Sequence, residues 1–124
     1  MADLLYIASS EKEAKIMIPF TYRLHGNHWF VANGIGLAFE LANFIKFDLV
    51  FVGDFRNIHL IKAIENELGH LPIVFEASIN NQVIRSFPFT HHVTIYDKPL
   101  SSIDMMRALL FYGAGSKKQK RMIA

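Results

Sequence analysis

The 124-residue chain contains no cysteine, which excludes a disulfide framework and any thiolate chemistry. It is also poor in charge: 19% of residues are charged against 52% that are hydrophobic. That balance excludes a disordered chain and predicts a well-filled core. Long apolar runs are missing too. No stretch approaches the roughly 18 apolar residues that a membrane span needs. The opening segment Met1-Ala2-Asp3-Leu4-Leu5-Tyr6-Ile7 lacks a basic leader, and Glu11-Lys12-Glu13 follows at once. The expectation is therefore no signal peptide, no membrane partner and a cytoplasmic location. No internal repeat or low-complexity tract is present. The length suits one domain and can bury roughly two thirds of its unfolded surface.

The net charge is small, +2. Lys117, Lys118, Lys120 and Arg121 crowd the last eight positions, and without them the body is slightly acidic. The pI of about 9.0 thus describes the tail. It gives no ground for nucleic-acid binding by the domain itself. The division predicted is a domain over 1–113 and a basic tail or linker start over 114–124.

What is present is an alternation of short apolar runs with longer amphipathic ones. Leu4–Ala8, Trp29–Ala32, Leu49–Val52, Pro72–Phe75 and Val93–Tyr96 read as strands, several of them apolar on both faces. Ser10, with Glu13 at capping-box spacing, opens a helix running to about Leu24 that Pro19 should kink or shorten. A second helix carries Leu37, Leu41, Phe44 and Ile45 up to Phe47. A third runs from Ile58 to Leu68 with Gly69 as its C-cap. Val83 and Ile84 suit a short helix before Pro88. Ser101-Ser102 caps a last one with Met105, Met106, Leu109 and Leu110. Five βα units predict an α/β fold, flavodoxin-like: a five-stranded parallel sheet of order 2-1-3-4-5 with helices on both faces. The site should lie at the carboxyl ends of the strands.

The segments at those ends resemble the response-regulator receiver family (CheY-like). Phe47-Asp48-Leu49-Val50-Phe51-Val52-Gly53-Asp54 resembles its third strand. Leu71–Ser78 resembles the fourth, and Asp97-Lys98-Pro99-Leu100 the close of the fifth. Ala32-Asn33-Gly34 resembles the turn after the second. The resemblance runs from about Leu4 to Leu110. It implies a site with two metal-holding acidic residues, a phosphorylated aspartate, a hydroxyl and a lysine. Here the metal positions hold Ala8 and Ser9, and the nucleophile position holds Gly53 with Asp54 one residue later. The hydroxyl position holds Ala77 with Ser78 one later, and only Lys98 matches directly. The family's aromatic position falls on Ile95, with Tyr96 displaced by one. The interval from Gly53 to Ala77 is short for the family. A one-residue shift along a strand turns a side chain to the other face, although a bulge at Gly53 would bring Asp54 back.

The expectation is thus an atypical receiver, regulatory and not an enzyme, with no cofactor and no metal. It would act through protein partners, a histidine kinase or an output domain among them, or as a homodimer. Its contact face would include Ile95, Tyr96, Met105 and Met106, together with Phe87 and Phe89 where exposed. Two alternatives stay open: a phosphorylatable regulator using Asp54, and a small flavodoxin-like ligand-binding domain. Lys98 is expected to form a structural salt bridge with Asp54. His25-x-x-His28 and His91-His92 lack metal-ligand company, and Gly34-x-Gly36 reads as a turn, since Phe39 stands where a dinucleotide fingerprint needs glycine.

Overall fold

Each strand that reads as apolar throughout is covered on both sides. In the computed structural model, which describes residues 2–23 and 26–112, five parallel strands form one sheet of order β2-β1-β3-β4-β5. These are β1 (Asp3–Ala8), β2 (His28–Asn33), β3 (Leu49–Val52), β4 (Ile73–Ala77) and β5 (Val93–Asp97). The helices are α1 (Glu11–Arg23), α2 (Ile35–Phe44), α3 (Ile58–Leu68), α4 (Gln82–Arg85) and α5 (Ser102–Phe111). The order reverses beside β1, which pairs with β2 on one side and β3 on the other. That is the switch point at which open α/β sheets place their sites.

Strand alternation divides the core in two. Leu5, Ile7, Val50, Val52, Ile73 and Phe75 face Ala38, Ile61, Ile64, Leu68 and Ile84 of α2, α3 and α4. Leu4, Tyr6, Leu49, Phe51 and Val74 face Ala14 and Met17 of α1 and Met105, Ala108 and Leu109 of α5. Fully burying side chains of this kind contributes roughly 1.5–3 kcal/mol each.

Several boundaries differ from the sequence reading. α1 runs unbroken through Pro19. The ring lies on an exposed side of the helix, away from the sheet. β2 starts at His28 and ends at Asn33, one residue beyond Trp29–Ala32 at each end. α2 stops at Phe44, three residues early, because Ile45 is extended (φ −121°). Phe47 is still buried, but by the following turn. β4 continues two residues past Phe75, through Glu76 and Ala77, and β5 one residue past Tyr96. Gly34 has φ +93° and opens the turn into α2, a conformation that favours glycine. Gly69 ends α3 with right-handed φ −62°, so close approach to Glu65 O and the His91 ring, and not the backbone angle, favours glycine there. No described helix is long and apolar enough to cross a membrane. His25, Gly113 and the basic tail over 114–124 lie outside the described residues.

Candidate functional site

The loops after β1, β3, β4 and β5 converge on a charged cluster built around Glu13, which its spacing from Ser10 marks only as half of a capping box. Ser10 caps α1, its Oγ accepting from the Glu13 amide at 3.1 Å. The second half of the expected capping box is not formed. The Glu13 carboxylate instead turns inward, and the residue is 6% exposed. Its Oε1 accepts from Ser9 N at 2.7 Å and Ser9 Oγ at 3.0 Å. Its Oε2 accepts from Asp54 N at 3.2 Å and Lys98 Nζ at 3.3 Å. The N-terminal turn of a helix favours a negative charge there.

Glu13 fits because position 53 has no side chain. A Cβ at Gly53 would overlap Glu13 Oε1. The carboxylate of α1 therefore fills the space that a strand-borne side chain at 53 would use. Ala8 ends β1, buried, and its carbonyl accepts from Gly34 N at 3.0 Å. Ser9 supplies donors to Glu13, so neither metal-position residue offers a carboxylate, yet a carboxylate is present.

Asp54 and Ser78, each displaced by one residue, are displaced together and meet. Asp54 Oδ1 accepts from Ser78 N at 3.0 Å and Asn81 Nδ2 at 2.6 Å. Oδ2 accepts from Ser78 Oγ and, at 3.5 Å, from Arg56 Nη2. Burial pushes the Asp54 carboxyl up, but the hydrogen bonds from Ser78 and Asn81 and the Lys98 charge outweigh it and hold it below the usual range. Lys98 stands 3.3 Å from Glu13 Oε2 and 3.8 Å from Asp54 Oδ2. It bridges both carboxylates, with the shorter arm to Glu13 and not to the expected Asp54. Ala77 is buried at the end of β4, and its carbonyl accepts from Lys98 N at 2.9 Å and Arg85 Nη2 at 3.1 Å. Arg85 also reaches Asp97 at 2.7 Å, and Arg56 reaches Asn80 at 2.8 Å, along the rim of the cluster.

A carboxylate offers about four acceptor positions. Glu13 and Asp54 each already receive four donors. Asp54 is also only 9% exposed. Attack on a phosphoryl donor by either would first require a donor to leave. Among the described residues no group of three or more His, Asp or Glu is placed to hold a metal ion. Beneath the cluster, Glu76 accepts from Tyr6 Oη and from Leu100 N, both at 2.8 Å. Burial, then the nearby Glu13 charge, raises the Glu76 carboxyl above its ordinary range in spite of those two donors. Burial likewise keeps the Tyr6 hydroxyl protonated.

Other expected site residues separate. Met105 is fully buried against β1, β3 and β4, so it is core and not contact surface. Ile95 and Tyr96 are half-buried against the two cores. Phe87 and Phe89 pack on each other at 4.6 Å, and Phe89 packs on Phe75 at 5.0 Å. Met106 is exposed, in one stripe with Ile103 and Leu110 and beside Phe111. His28 pairs with Asp3 and His91 with Glu65.

A parallel sheet of this order, with lysine, hydroxyl and carboxylate at its carboxyl edge, is the receiver fold, and solved structures agree. The signal receiver domain of an HD domain-containing protein from Pseudomonas fluorescens Pf-5 is similar with a TM-score of 0.70 and 13% identity. The match covers 97% of this chain and 92% of that one. The signal receiver domain of a signal transduction histidine kinase from Syntrophus aciditrophicus gives 0.70 at 14% identity, over 94% and 93%. NtrX from Brucella abortus, in complex with ATP, gives 0.67 at 19% identity over 98% of this chain, which spans only 28% of the NtrX chain. No protein-family model and no curated protein matches the chain. The chain therefore has the fold of response-regulator receiver domains, at identities where the likeness is one of fold.

Proposed function

We propose that this chain is a pseudo-receiver: a regulatory module that works through protein contacts, without aspartyl phosphorylation. The observation that carries this reading is the Glu13 carboxylate. It occupies the space left by Gly53 and, with Asp54, engages the Lys98 ammonium, holding the shorter of the two arms. In a working site that lysine grips phosphoryl oxygens; here its charge is already matched. The partner is a protein, a histidine kinase or an output domain being the kinds the fold suggests. The exposed side of α5, with Ile103, Met106 and Leu110, offers the apolar contact area, and methionine adapts readily at such surfaces.

A second reading has one observation in its favour. Asp54, Ser78 and Lys98 are shifted in register yet still converge, so an acid, a hydroxyl and an ammonium group share one corner of the pocket. Incubation with acetyl phosphate, or with beryllofluoride and Mg²⁺, separates the two. The expected result is no mass increase and no spectral change at residues 53–55. A saturable Mg²⁺-dependent response that Asp54→Asn removes would overturn the pseudo-receiver reading in favour of phosphorylation at Asp54.

A further inference from the structure

A second surface lies around the C-terminal ends of α2 and α3, at the end of the sheet away from the charged cluster. α2 has the sequence IGLAFELANF: seven apolar residues, one charge, and only Ala38 fully buried. A surface helix that apolar ordinarily buries a wider stripe than this. Leu37 is 46% exposed and Phe44 88% exposed. Such a protruding aromatic ring has no partner within its own fold among the described ring contacts.

Beside Phe44 lies a groove of about 420 Å³ between the end of α2 and the end of α3. That lies within the roughly 300–1,000 Å³ span of pockets that enclose small ligands. Phe39 and Ala42 line it, with the buried Phe47 and Leu68 beneath, and its exposed surface is mixed polar and apolar. Its rims carry opposite charges, Lys46 after α2 and Glu67 at the end of α3, both exposed.

A protruding aromatic ring beside a groove whose two rims carry opposite charges is self-complementary under a twofold axis. In an isologous pair each copy supplies the same patch, so residue i meets j and j meets i. A twofold axis running along the groove sets the α2 rim of one copy against the α3 rim of the other. Lys46 then faces the partner's Glu67 while Phe44 enters the partner's groove.

We propose that the chain self-associates through this α2–α3 groove, with Phe44 as the anchor and Lys46 and Glu67 setting the register. With one aromatic anchor and one charge pair per copy, association is expected in the range of about 1–100 μM. It is independent of the charged cluster and of whether Asp54 is phosphorylated.

Sedimentation velocity over a concentration series of the full chain tests it. The wild type is expected to pass from monomer to dimer. Phe44→Asp is expected to weaken association at least ~30-fold, as for loss of a central aromatic anchor. Circular dichroism should be unchanged, since the ring is exposed. Lys46→Glu and Glu67→Lys should each weaken the dimer, and the double swap should restore it. Leu110→Asp, on the α5 stripe, should leave it intact. A monomer at all concentrations up to ~1 mM, well above that range, would overturn the proposal. So would a dimer that survives Phe44→Asp, fails to recover in the charge swap, or is lost in Leu110→Asp.

Discussion

At position 53 a missing side chain and a side chain from another element share one space. Glu13 Oε1 lies where a Cβ on residue 53 would be, so the glycine is required by close approach and not by its backbone angles. Gly53→Ala is therefore expected to push the Glu13 carboxylate out of contact with Ser9, Asp54 N and Lys98. The cost should be about 1–3 kcal/mol, from overpacking and lost charged hydrogen bonds. Urea unfolding of Gly53→Ala, Glu13→Ala and the double variant checks it. In the Glu13→Ala background the added methyl should cost almost nothing, and that coupling identifies the pair. Equal costs in both backgrounds would show that the methyl clashes elsewhere. The sequence placed a glycine at the nucleophile position and stopped there. The signal available in it was Glu13, in the first turn of the first helix, but local spacing assigned that residue to a capping box. Arg56, Asn81 and Arg85 left no such signal, because they act across loops that are distant in sequence.

At the scale of the element, local chemistry predicted starts better than stops. Ser101 caps α5 with a complete box: its Oγ accepts from Asp104 N at 3.0 Å, and Asp104 Oδ2 accepts from Ser101 N at 3.3 Å. Ser101→Ala should lower stability by about 0.5–2 kcal/mol, with an unchanged denaturant m-value. A change in m would point to a wider rearrangement. Ser10 keeps only half of the same device because the tertiary site claims Glu13. β4 ends later than hydrophobicity suggests for a related reason. Glu76 reads as a polar stop, yet it sits inside the sheet because Tyr6 on β1 and the amide of Leu100 satisfy its oxygens. α1 passes through Pro19 because packing of Ala14 and Met17 against the sheet holds the helix in place.

Across the whole molecule, two buried carboxylates give opposite pH dependences. Glu76 binds its proton more tightly when folded, so its ionisation costs stability. The wild type should gain stability as pH falls through the raised Glu76 value towards the ordinary 4.5. Asp54 is held below its ordinary 3.8. Its contribution is present above that value and is lost as pH falls through the lowered one. Glu76→Gln should flatten the dependence above pH 4.5 and leave the acid limb intact, as read from urea midpoints across pH. The introduced amide can accept from Leu100 N and donate to the Tyr6 oxygen, so the fold should be kept. An unchanged slope above 4.5 would exclude Glu76 as its source.

The five βα units, the two-faced burial of the strands and the pieces of the carboxyl edge were all legible in the chain itself. They follow from periodicity and from short-range caps and turns, which act over a few residues. That Glu13 joins Asp54 at Lys98 was not legible, nor was the meeting of Asp54 with the equally shifted Ser78, the place of Met105 in the core, or the exposure of Phe44. Each of these depends on how distant elements pack side by side, where a single missing Cβ decides which side chain fills the gap.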